Sequence, residues 1–297
     1  MLLVKYSEII LKGRNTRLQM ERRLVSNMRM ALGGLGNEAK FSHEGGMFSL
    51  VLPEGSDEAA AAHVLARVFG VYSVHIGKEI EASVPAICGE SVRAARSFPK
   101  GSSFAISAKR IGETGPRSKE IAIAAGKAVQ DATGLRVNLD EPDNTIFVSV
   151  RGERALVFGN RIPGYGGLPL GSGGKLASLI GFGSSPLAAW EAMKRGSQIE
   201  LVAAYKDEEE KENVETQAAK LEKWHIGKKL GIHFVEAANS EEAFQKLGEI
   251  AGEKKAEGML MGMHAIESAL EFKDCLFPLI GMDKKEVAEK EKELGLG

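Results

Sequence analysis

The sequence predicts a multidomain protein that combines α+β domains in its N-terminal half with a parallel α/β domain in its C-terminal half. Three observations lead to this fold class. Strand-like and helix-like segments follow one another in the order β-α-β-α-β over the first 75 residues. From residue 161 onward, apolar strands alternate with amphipathic helices, as they do in parallel sheets. A glycine-rich stretch, Gly159 to Gly196, joins the two patterns.

The first predicted domain, residues 1–75, has the element order of a small ferredoxin-like α+β fold. It opens with an apolar strand, and Asn15 or Thr16 can cap a helix that runs to about Leu32. Basic side chains lie off the buried stripe of this helix. The predicted strands are Met1–Tyr6, Met47–Leu52 and Val71–His75, and the second helix is Ala59–Phe69.

The second predicted domain, residues 76–160, is a further α+β unit. Ser103–Arg110 alternates like a strand, and Ser118 can cap a helix over Lys119–Thr133 that stops at Gly134. The other segments are a helix at Ile87–Phe98 and strands at Arg136–Leu139, Thr145–Val150 and Ala155–Phe158.

The third predicted domain, residues 161–297, is a Rossmann-like parallel sheet. The acidic run Asp207–Glu212 is interpreted as a solvated loop and helix start. The predicted strands are Leu176–Ile180, Ile199–Tyr205, Ile232–Glu236 and Gly258–Met261, and the helices are Pro186–Arg195, Glu212–Trp224, Ser240–Glu253 and Lys284–Leu294.

Composition and charge restrict the class of partner. Hydrophobic residues make up 43% of the 297-residue chain, and neither a membrane span nor a signal peptide is evident, so we expect a cytoplasmic protein. The net charge is −1, but residues 1–160 carry 21 basic against 17 acidic side chains, and residues 161–297 carry 18 against 23. An anionic partner would therefore approach the N-terminal half.

Cysteine and histidine patterns point to no disulfide and no metal site. Cys88 and Cys275 lie far apart in the sequence, and neither has a CxxC partner. The six histidines show no ligand spacing. We identify no catalytic residue from these side chains.

The turn Gly181–Pro186 is the candidate site for a phosphate group. Gly181 and Gly183 allow close approach to the backbone, and Ser184 and Ser185 precede a helix whose N-terminal dipole favours anions. The turn lacks the GxxxxGK[ST] pattern and an acidic residue that would hold Mg²⁺. Because such glycines also permit tight packing of helix against strand, spacing alone leaves both roles open.

The flanks of this turn resemble a known family. GYGGLPLGSGGKLASLI, residues 164–180, and SSPLAAWEAMKRG, residues 184–196, are similar to the tRNA 4-thiouridine synthetase, or tRNA sulfurtransferase, family, which also serves thiamine biosynthesis. The segments YSEIILKGRNTR, residues 6–17, and PLIGMDKKEV, residues 278–287, share the likeness, and residues 104–158 resemble the family's THUMP domain.

The resemblance implies three domains: an N-terminal ferredoxin-like domain, a THUMP domain and a PP-loop domain. The first two would bind tRNA, largely through its shape. The PP-loop would bind ATP with Mg²⁺ and adenylate a uridine, and a cysteine persulfide would then deliver sulfur.

The sequence departs from the family pattern where this chemistry takes place. The family's S-G-G-I-D-S-P falls on Ile180–Pro186, so that Ile180 replaces a serine, Phe182 a glycine and Ser184 the aspartate. Losing the hydroxyl and the carboxylate would weaken the binding of pyrophosphate and metal together. Residues 236–261 form a shorter stretch than in the family, and Met261–Leu270 keeps only a glycine, Gly262, and a serine, Ser268, of a further motif.

The family's attacking cysteine would follow the residue at which this sequence ends, and Cys275 lies before PLIGMD rather than at that position. We therefore expect no persulfide cysteine here.

We expect a tRNA-binding protein that is related to 4-thiouridine synthetases and lacks adenylation and sulfur transfer. An active ATP-dependent tRNA sulfurtransferase and a protein-docking assembly subunit are the alternatives, and a separate catalytic subunit or a homodimer would be further partners. ATP with Mg²⁺ at a vestigial loop of Gly181, Gly183, Ser184 and Ser185 stays open. The expected RNA contacts are Lys12, Arg14, Arg17, Lys109, Arg110, Arg117 and Lys119.

Overall fold

The computed structural model describes residues 1–44, 46–226, 229–263 and 274–297. Its contacts group into two compact units. Unit 1 contains residues 1–5, 37–66 and 73–163, and unit 2 contains residues 6–36, 67–72 and 164–297. In the described ranges, every helix is too short or too polar to cross a lipid bilayer.

The elements alternate along the chain much as the sequence predicts. A short 3-10 helix at Glu8–Leu11 precedes the first α-helix. The helices are α1 Arg14–Ala31, α2 Gly34–Glu38, α3 Glu58–Ala66, α4 Val84–Ala95, α5 Ser118–Thr133, α6 Pro186–Lys194, α7 Glu208–Glu222, α8 Ser240–Glu253 and α9 Lys284–Leu294. The strands are β1 Leu2–Tyr6, β2 Lys40–Glu44, β3 Met47–Val51, β4 Val71–Glu81, β5 Ser103–Ile111, β6 Arg136–Val137, β7 Asn144–Arg151, β8 Arg154–Pro163, β9 Lys175–Ile180, β10 Gln198–Tyr205, β11 Gly231–Glu236, β12 Gly258–Met261 and β13 Cys275–Leu276.

One eight-stranded sheet runs through the first two predicted domains. Its strand order is β2-β3-β1-β4-β8-β7-β5-β6, and β4 pairs antiparallel with β8 from Ser73 to Glu81. The register shifts between His75 and Gly77, and a Cβ at Gly77 would lie 2.9 Å from the Cβ of Phe158. A glycine is therefore needed at this irregularity, because a side chain there would collide with Phe158.

Helices α4 and α5 cover one face of this sheet. Ile87 from α4 and Ile121 from α5 are fully buried, and they pack with alternate residues of the strands such as Ile146 and Val148. Since side chains alternate between the two faces of a strand, the intervening residues point to the opposite face. That opposite face carries the basic and aromatic side chains described below.

A five-stranded parallel sheet forms the centre of unit 2. Its strand order is β11-β10-β9-β12-β13, so the chain passes from β9 to β10 and β11 on one side and then crosses to β12 on the other. This reversal beside β9 is a topological switch point, the place where open α/β sheets bind ligands. The glycine turn follows the carboxyl end of β9.

An aromatic cluster fills the core of unit 2. Trp190 and Trp224 meet edge-to-face with ring centroids 5.6 Å apart, and Phe69 and Tyr165 pack against both rings. The chain has two tryptophans, and both lie in this cluster. Tryptophan fluorescence therefore reports on unit 2 alone.

Some details of the sequence-based expectation are wrong. The expected cap at Asn15 or Thr16 does not form, because α1 begins at Arg14 with Gly13 at the N-cap and no side-chain cap. Ser118 is the first residue of α5, and its hydroxyl accepts a hydrogen bond from the Arg110 backbone at 3.0 Å. The acidic run does begin a helix, as expected, but α7 starts at Glu208 and not at Glu212, since Asp207 caps it through the Glu210 backbone N–H.

The sequence-based boundaries at 75/76 and 160/161 stay a prediction. Contacts within the chain divide it differently, because α1 groups with unit 2 although it lies in the first predicted domain.

Candidate functional sites: the glycine turn and the open sheet face

The glycine turn is a tight, strained connection between β9 and α6. Gly181, Phe182 and Gly183 all have positive φ angles, at 90°, 49° and 79°. A Cβ at Gly181 would lie 2.0 Å from the carbonyl oxygen of Ala204, so this position requires glycine for close packing. Phe182 holds a backbone conformation that costs a side-chain-bearing residue about 1 kcal/mol or more.

Ser184, the residue aligned with the family's aspartate, is part of the internal hydrogen bonding of the turn. Its side chain is 5% exposed. The hydroxyl donates to the carbonyl of Leu179 at 2.7 Å and accepts from the backbone N–H of Gly262, also at 2.7 Å. It therefore fastens the turn to the ends of β9 and β12 and points away from solvent.

Ser185 caps α6 and binds a carboxylate of the same chain. Its hydroxyl accepts from the N–H of Leu187 at 3.1 Å and donates to Oε1 of Glu291, in α9, at 2.6 Å. A negative charge at a helix N-terminus is favourable. The side chain of Glu291 thus supplies an anion at the end of α6 where a phosphate would bind in a nucleotide loop.

The backbone N–H groups at the start of α6 are engaged within the protein. Ser184 donates to Gly181 at 2.9 Å, Ser185 to Gly262 at 3.2 Å and Ala188 to Ser185 at 3.3 Å. Leu187 donates to the Ser185 hydroxyl, and Pro186 has no N–H to offer. A phosphate cradle requires such groups to point at the ligand. From Ser184 to Ala188 each of them has an acceptor inside the chain.

The cavity beside the turn is small and acidic. It has a volume of about 330 Å³, and its lining contains the carboxylates of Glu210 and Glu291. Among the described residues that line it, none is lysine or arginine. Nothing in this lining would neutralise a triphosphate.

The family motifs on either side of the turn pack against each other. Leu168 donates to the carbonyl of Lys194 at 2.9 Å, and both Gly171 and Gly173 donate to Gly196 at 2.8 and 3.0 Å. A Cβ at Gly167 would lie 2.1 Å from the carbonyl of Lys194. These glycines serve backbone contact between the two motifs.

The basic residues near the N-terminus lie at the start of α1. Lys12 and Arg14 are exposed, and Arg17 lies with Nε 3.7 Å from the carboxylate of Glu21. Glu21 is also bound by the hydroxyl of Tyr6, and burial raises the pKa of that phenol. Lys12 thus lies just before α1, while Arg14 and Arg17 lie in its first turn, and their role as RNA contacts stays a prediction.

The remaining expected RNA contacts are divided between the two faces of the eight-stranded sheet. Lys109 is exposed and lines the open face, whereas Arg110, its neighbour in β5, donates from Nη1 to the carbonyl of Gly115 at 3.3 Å. Consecutive residues of a strand point to opposite faces. Arg117 and Lys119 are exposed at the start of α5, which packs on the covered face, so they accompany Arg110 and not Lys109.

The open face of unit 1 contains a broad groove that the sequence does not reveal. Its volume is about 750 Å³. The lining includes four cationic side chains, apolar side chains, serines and two phenylalanines. The cations are Lys5, Lys109, Arg151 and Arg154, and the acidic residue among them is Glu79, which binds Arg154.

Two phenylalanines stack at the centre of this groove. The rings of Phe147 and Phe158 are nearly parallel, 14° apart in plane, with centroids separated by 5.2 Å. Nζ of Lys5 lies 5.5 Å from each centroid. Burial, together with the charge of Arg161, lowers the pKa of Lys5.

Buried His75 supports the aromatic pair from below. The side chain is 2% exposed, and Nδ1 shares a hydrogen bond with the carbonyl oxygen of Gly159 at 3.2 Å. Its ring meets Phe158 edge-to-face at 5.2 Å. Burial lowers the pKa of His75 to about 4, so the imidazole is neutral near pH 7.

Neither cysteine has the environment of an activated thiol. Burial, with a smaller contribution from Asp274, raises the pKa of Cys275 to about 11, and burial also raises the pKa of Cys88. A reactive cysteine needs a lowered pKa. Ser268, the serine expected to remain from a family motif at Met261–Leu270, lies outside the described residues.

The missed residues of the open face share a weak sequence signal. Ser107 lies between the apolar residues Ile106 and Ala108, and Phe147, Ser149 and Arg151 alternate with apolar neighbours. Such alternation predicts a strand with a solvated face. It does not tell which strands become neighbours, and Lys5 reaches the groove only because β1 joins the same sheet.

Comparison with known proteins identifies the N-terminal segments. Residues 1–74 match the family model of the ThiI ferredoxin-like domain, and residues 79–159 match that of the THUMP domain. A probable tRNA sulfurtransferase of Aeropyrum pernix is 33% identical over 332 aligned residues, which cover 99% of this chain and 83% of the relative. A probable tRNA sulfurtransferase of Thermococcus kodakarensis is 29% identical, with 99% and 87% covered.

Two solved structures share the fold over nearly the whole chain. A 4-thiouridine synthetase in complex with RNA and bound ATP has a TM-score of 0.83 at 26% identity, covering 99% of this chain and 84% of that one. PH1313 of Pyrococcus horikoshii has a TM-score of 0.77 at 25% identity, with 99% of both chains covered.

The fold and the domain matches define a THUMP-containing protein with a ferredoxin-like domain before it and a Rossmann-like parallel sheet after it. The chain belongs to the tRNA sulfurtransferase family. The resemblance and the fold class expected from the sequence are thereby confirmed. The aligned region spans 332 positions although this chain has 297 residues, so the relative carries internal residues that have no counterpart here.

Proposed function

We propose that this protein binds tRNA through the open face of unit 1 and neither adenylates the RNA nor transfers sulfur to it. For RNA binding, the supporting observation is the groove whose lining contains Lys5, Lys109 and the stacked pair of Phe147 and Phe158. Cations that neutralise phosphates and rings on which bases stack are the usual components of sites for unpaired RNA. The relatives named tRNA sulfurtransferase, and the related synthetase solved with RNA, favour tRNA as the nucleic acid.

The proposed loss of catalysis rests on the internal hydrogen bonding of the glycine turn. The N–H groups and hydroxyls from Ser184 to Ala188 have partners within the chain, and Glu291 places a carboxylate at the start of α6. Gly181, Gly183, Ser184 and Ser185 would then be a vestigial loop. A separate protein would have to supply any modification chemistry on the bound tRNA.

Lys109 and Arg110 provide a matched pair for testing the RNA surface. Lys109→Gln should weaken tRNA binding and lower the slope of log K against log salt by about 1, because one phosphate contact is lost. Arg110→Gln, on the covered face, should leave both quantities unchanged. Fluorescence anisotropy with labelled tRNA at several salt concentrations measures them. Equal effects of the two variants would contradict the choice of the open face.

Phe147→Ala separates stacking from charge. Loss of a base-stacking ring costs about 1–3 kcal/mol, which corresponds to roughly tenfold or more in affinity, and the salt slope should not change. A tRNA affinity equal to that of the wild type would remove the aromatic pair from the proposal.

An active ATP-dependent tRNA sulfurtransferase is the second candidate, favoured by the bound ATP of the related synthetase. Calorimetric titration of the protein with ATP and Mg²⁺ distinguishes the two. We expect no heat of binding at micromolar concentrations. Micromolar affinity, or adenylation of tRNA by the purified protein, would establish the second candidate instead.

A further inference from the structure

The cavity beside the glycine turn has the size and position of a ligand site, but its charge is wrong for a phosphate. Its volume of about 330 Å³ lies within the range of small-molecule pockets, and it adjoins the topological switch point of the parallel sheet. The described part of its lining contains no cationic side chain. The polar side chains there are hydroxyls, carboxylates and amides, from Ser184, Ser185, Glu210, Asn213, Gln217 and Glu291.

One side of α7 contributes a hydrogen-bond acceptor that lacks a donor. Glu210, Asn213 and Gln217 are three and four residues apart, so they lie along the same side of this helix. Nε2 of Gln217 donates to Oδ1 of Asn213 at 3.3 Å. Oε1 of Gln217, by contrast, is buried and has no hydrogen-bond partner among the described residues. Because an unsatisfied buried acceptor is costly, an occupant with N–H groups would be favoured here.

Glu291, from α9, contributes a negative charge that has no basic partner in the described ranges. Its Oε1 accepts the hydrogen bond of the Ser185 hydroxyl at 2.6 Å, which holds the carboxylate at the cavity. Glu210 differs, because its carboxylate pairs with Nζ of Lys206 at 3.1 Å. The charge of Glu291 is therefore the one that a bound cation would neutralise.

An organic cation fits this lining better than a metal ion does. Among the described residues, no group of three histidine, cysteine, aspartate or glutamate side chains is placed to hold a metal. Mg²⁺ and Ca²⁺ require about six oxygen ligands, whereas an ammonium or guanidinium group presents N–H donors to a few acceptors. Phe182, Pro186 and Val214 also line the cavity and would contact the carbon chain of such a compound.

We infer that the cavity beside the glycine turn binds a small organic cation, an alkylammonium or guanidinium compound. Glu291 is its ion-pair partner, and Oε1 of Gln217 accepts a hydrogen bond from it. The inference goes beyond tRNA binding and does not depend on it. The position at which a nucleotide loop holds an anion would thus have become a site for a ligand of opposite charge.

Three probe compounds of similar length test the charge requirement. Putrescine carries two ammonium groups, agmatine replaces one of them with a guanidinium, and the neutral four-carbon diol carries no charge. Calorimetric titration of the full chain is done at low salt, because salt screens partly exposed ion pairs. We expect heat of binding from putrescine and agmatine and none from the diol. The tighter of the two cations identifies the preferred head group.

Two variants and a matched control locate the binding site. Glu291→Gln keeps an acceptor for Ser185 but removes the charge, and it should weaken binding of the preferred cation by about fivefold or more. Gln217→Met removes the acceptor at similar size and should also weaken binding. Glu208→Gln is the control, because Glu208 lies in the same helix with its side chain 84% exposed and outside the cavity lining. Thermal unfolding checks that all variants remain folded.

Four results would overturn the inference. The first is an absence of heat from both cations at millimolar concentration, and the second is equal binding of the neutral diol. The third is equal affinity of Glu291→Gln and Glu208→Gln, which would place the cation on the acidic surface of α7. The fourth is displacement of putrescine by an equal concentration of Mg²⁺, which would indicate a metal site. The proposed function survives each of them, since tRNA affinity is measured separately.

Discussion

Replacing Ser184 with alanine should destabilise unit 2 by an amount that the structure allows us to estimate. The hydroxyl makes two hydrogen bonds of 2.7 Å, to Leu179 and from Gly262, and is almost fully buried. Leaving a buried polar group without its partner costs about 1–3 kcal/mol. The carbonyl of Leu179 belongs to a paired strand, so the loss of its hydrogen bond with Ser184 costs an amount at the lower end of this range. With the cost of the unpartnered Gly262 N–H added, we expect a total destabilisation of about 2–4 kcal/mol.

Urea unfolding followed by tryptophan fluorescence is the appropriate assay, since Trp190 and Trp224 both lie in the core of unit 2. Ser26→Ala, at an exposed position of α1 in the same unit, is the control and should change the free energy of unfolding by less than about 0.5 kcal/mol. If Ser184→Ala matched this control, the hydroxyl would not hold the turn, and the argument for a purely structural role would fail.

The reverse substitution sharpens the same reasoning. Ser184→Asp restores the carboxylate of the family pattern, but a carboxylate cannot donate to the Leu179 carbonyl. We expect at least the destabilisation of the alanine variant and no gain in affinity for ATP with Mg²⁺. Tight ATP binding by this variant would show that the absence of the aspartate alone accounts for the loss of nucleotide binding.

Three further predictions concern single residues. Gly181→Ala should lower the free energy of unfolding in urea by about 2 kcal/mol more than Gly183→Ala does. A Cβ at Gly181 would lie 2.0 Å from the Ala204 carbonyl, whereas Gly183 faces open space. The free energy of unfolding should fall by up to roughly 3 kcal/mol between pH 6.5 and pH 4, because the pKa of His75 is near 6.5 in the unfolded chain and about 4 in the folded chain. The His75→Gln variant, whose unfolding is followed by circular dichroism, should lack this part of the acid sensitivity. The Cys275 thiol, with its pKa of about 11, should react with a disulfide reagent at pH 8 far more slowly than free cysteine, and a normal rate would contradict its burial.

Elements with a strong apolar period were predictable, and an edge element was not. The run at Leu176–Ile180 and the amphipathic pattern at Ser240–Glu253 give the strand and the helix found there. Strand β2, Lys40–Glu44, was missed because it is the edge strand of its sheet and is largely polar. Edge strands commonly carry such residues, which weaken the period on which a prediction depends.

The open sheet face was beyond the reach of the sequence for a different reason. Lys5, Lys109 and Phe147 belong to three strands that are far apart along the chain, and only strand pairing brings them to one groove. Their alternation was visible, but strand order is a property of tertiary packing. The split of Lys109 from Arg110, by contrast, follows from strand periodicity and could have been anticipated.

The glycine-rich stretch combines two roles that the sequence alone could not separate. Gly167 and Gly196 are required by contact between the two flanking motifs, since a Cβ at Gly167 would collide with the carbonyl of Lys194 and a Cβ at Gly196 would lie 2.6 Å from Oγ of Ser172. Such a requirement holds whether or not a nucleotide binds. At position 184, by contrast, a buried serine satisfies the backbone around it through two hydrogen bonds of its hydroxyl. Glycines in this stretch therefore indicate the fold, whereas the groups at residues 180–185, together with the carboxylate that α9 places beside them, determine whether the turn can still hold a phosphate.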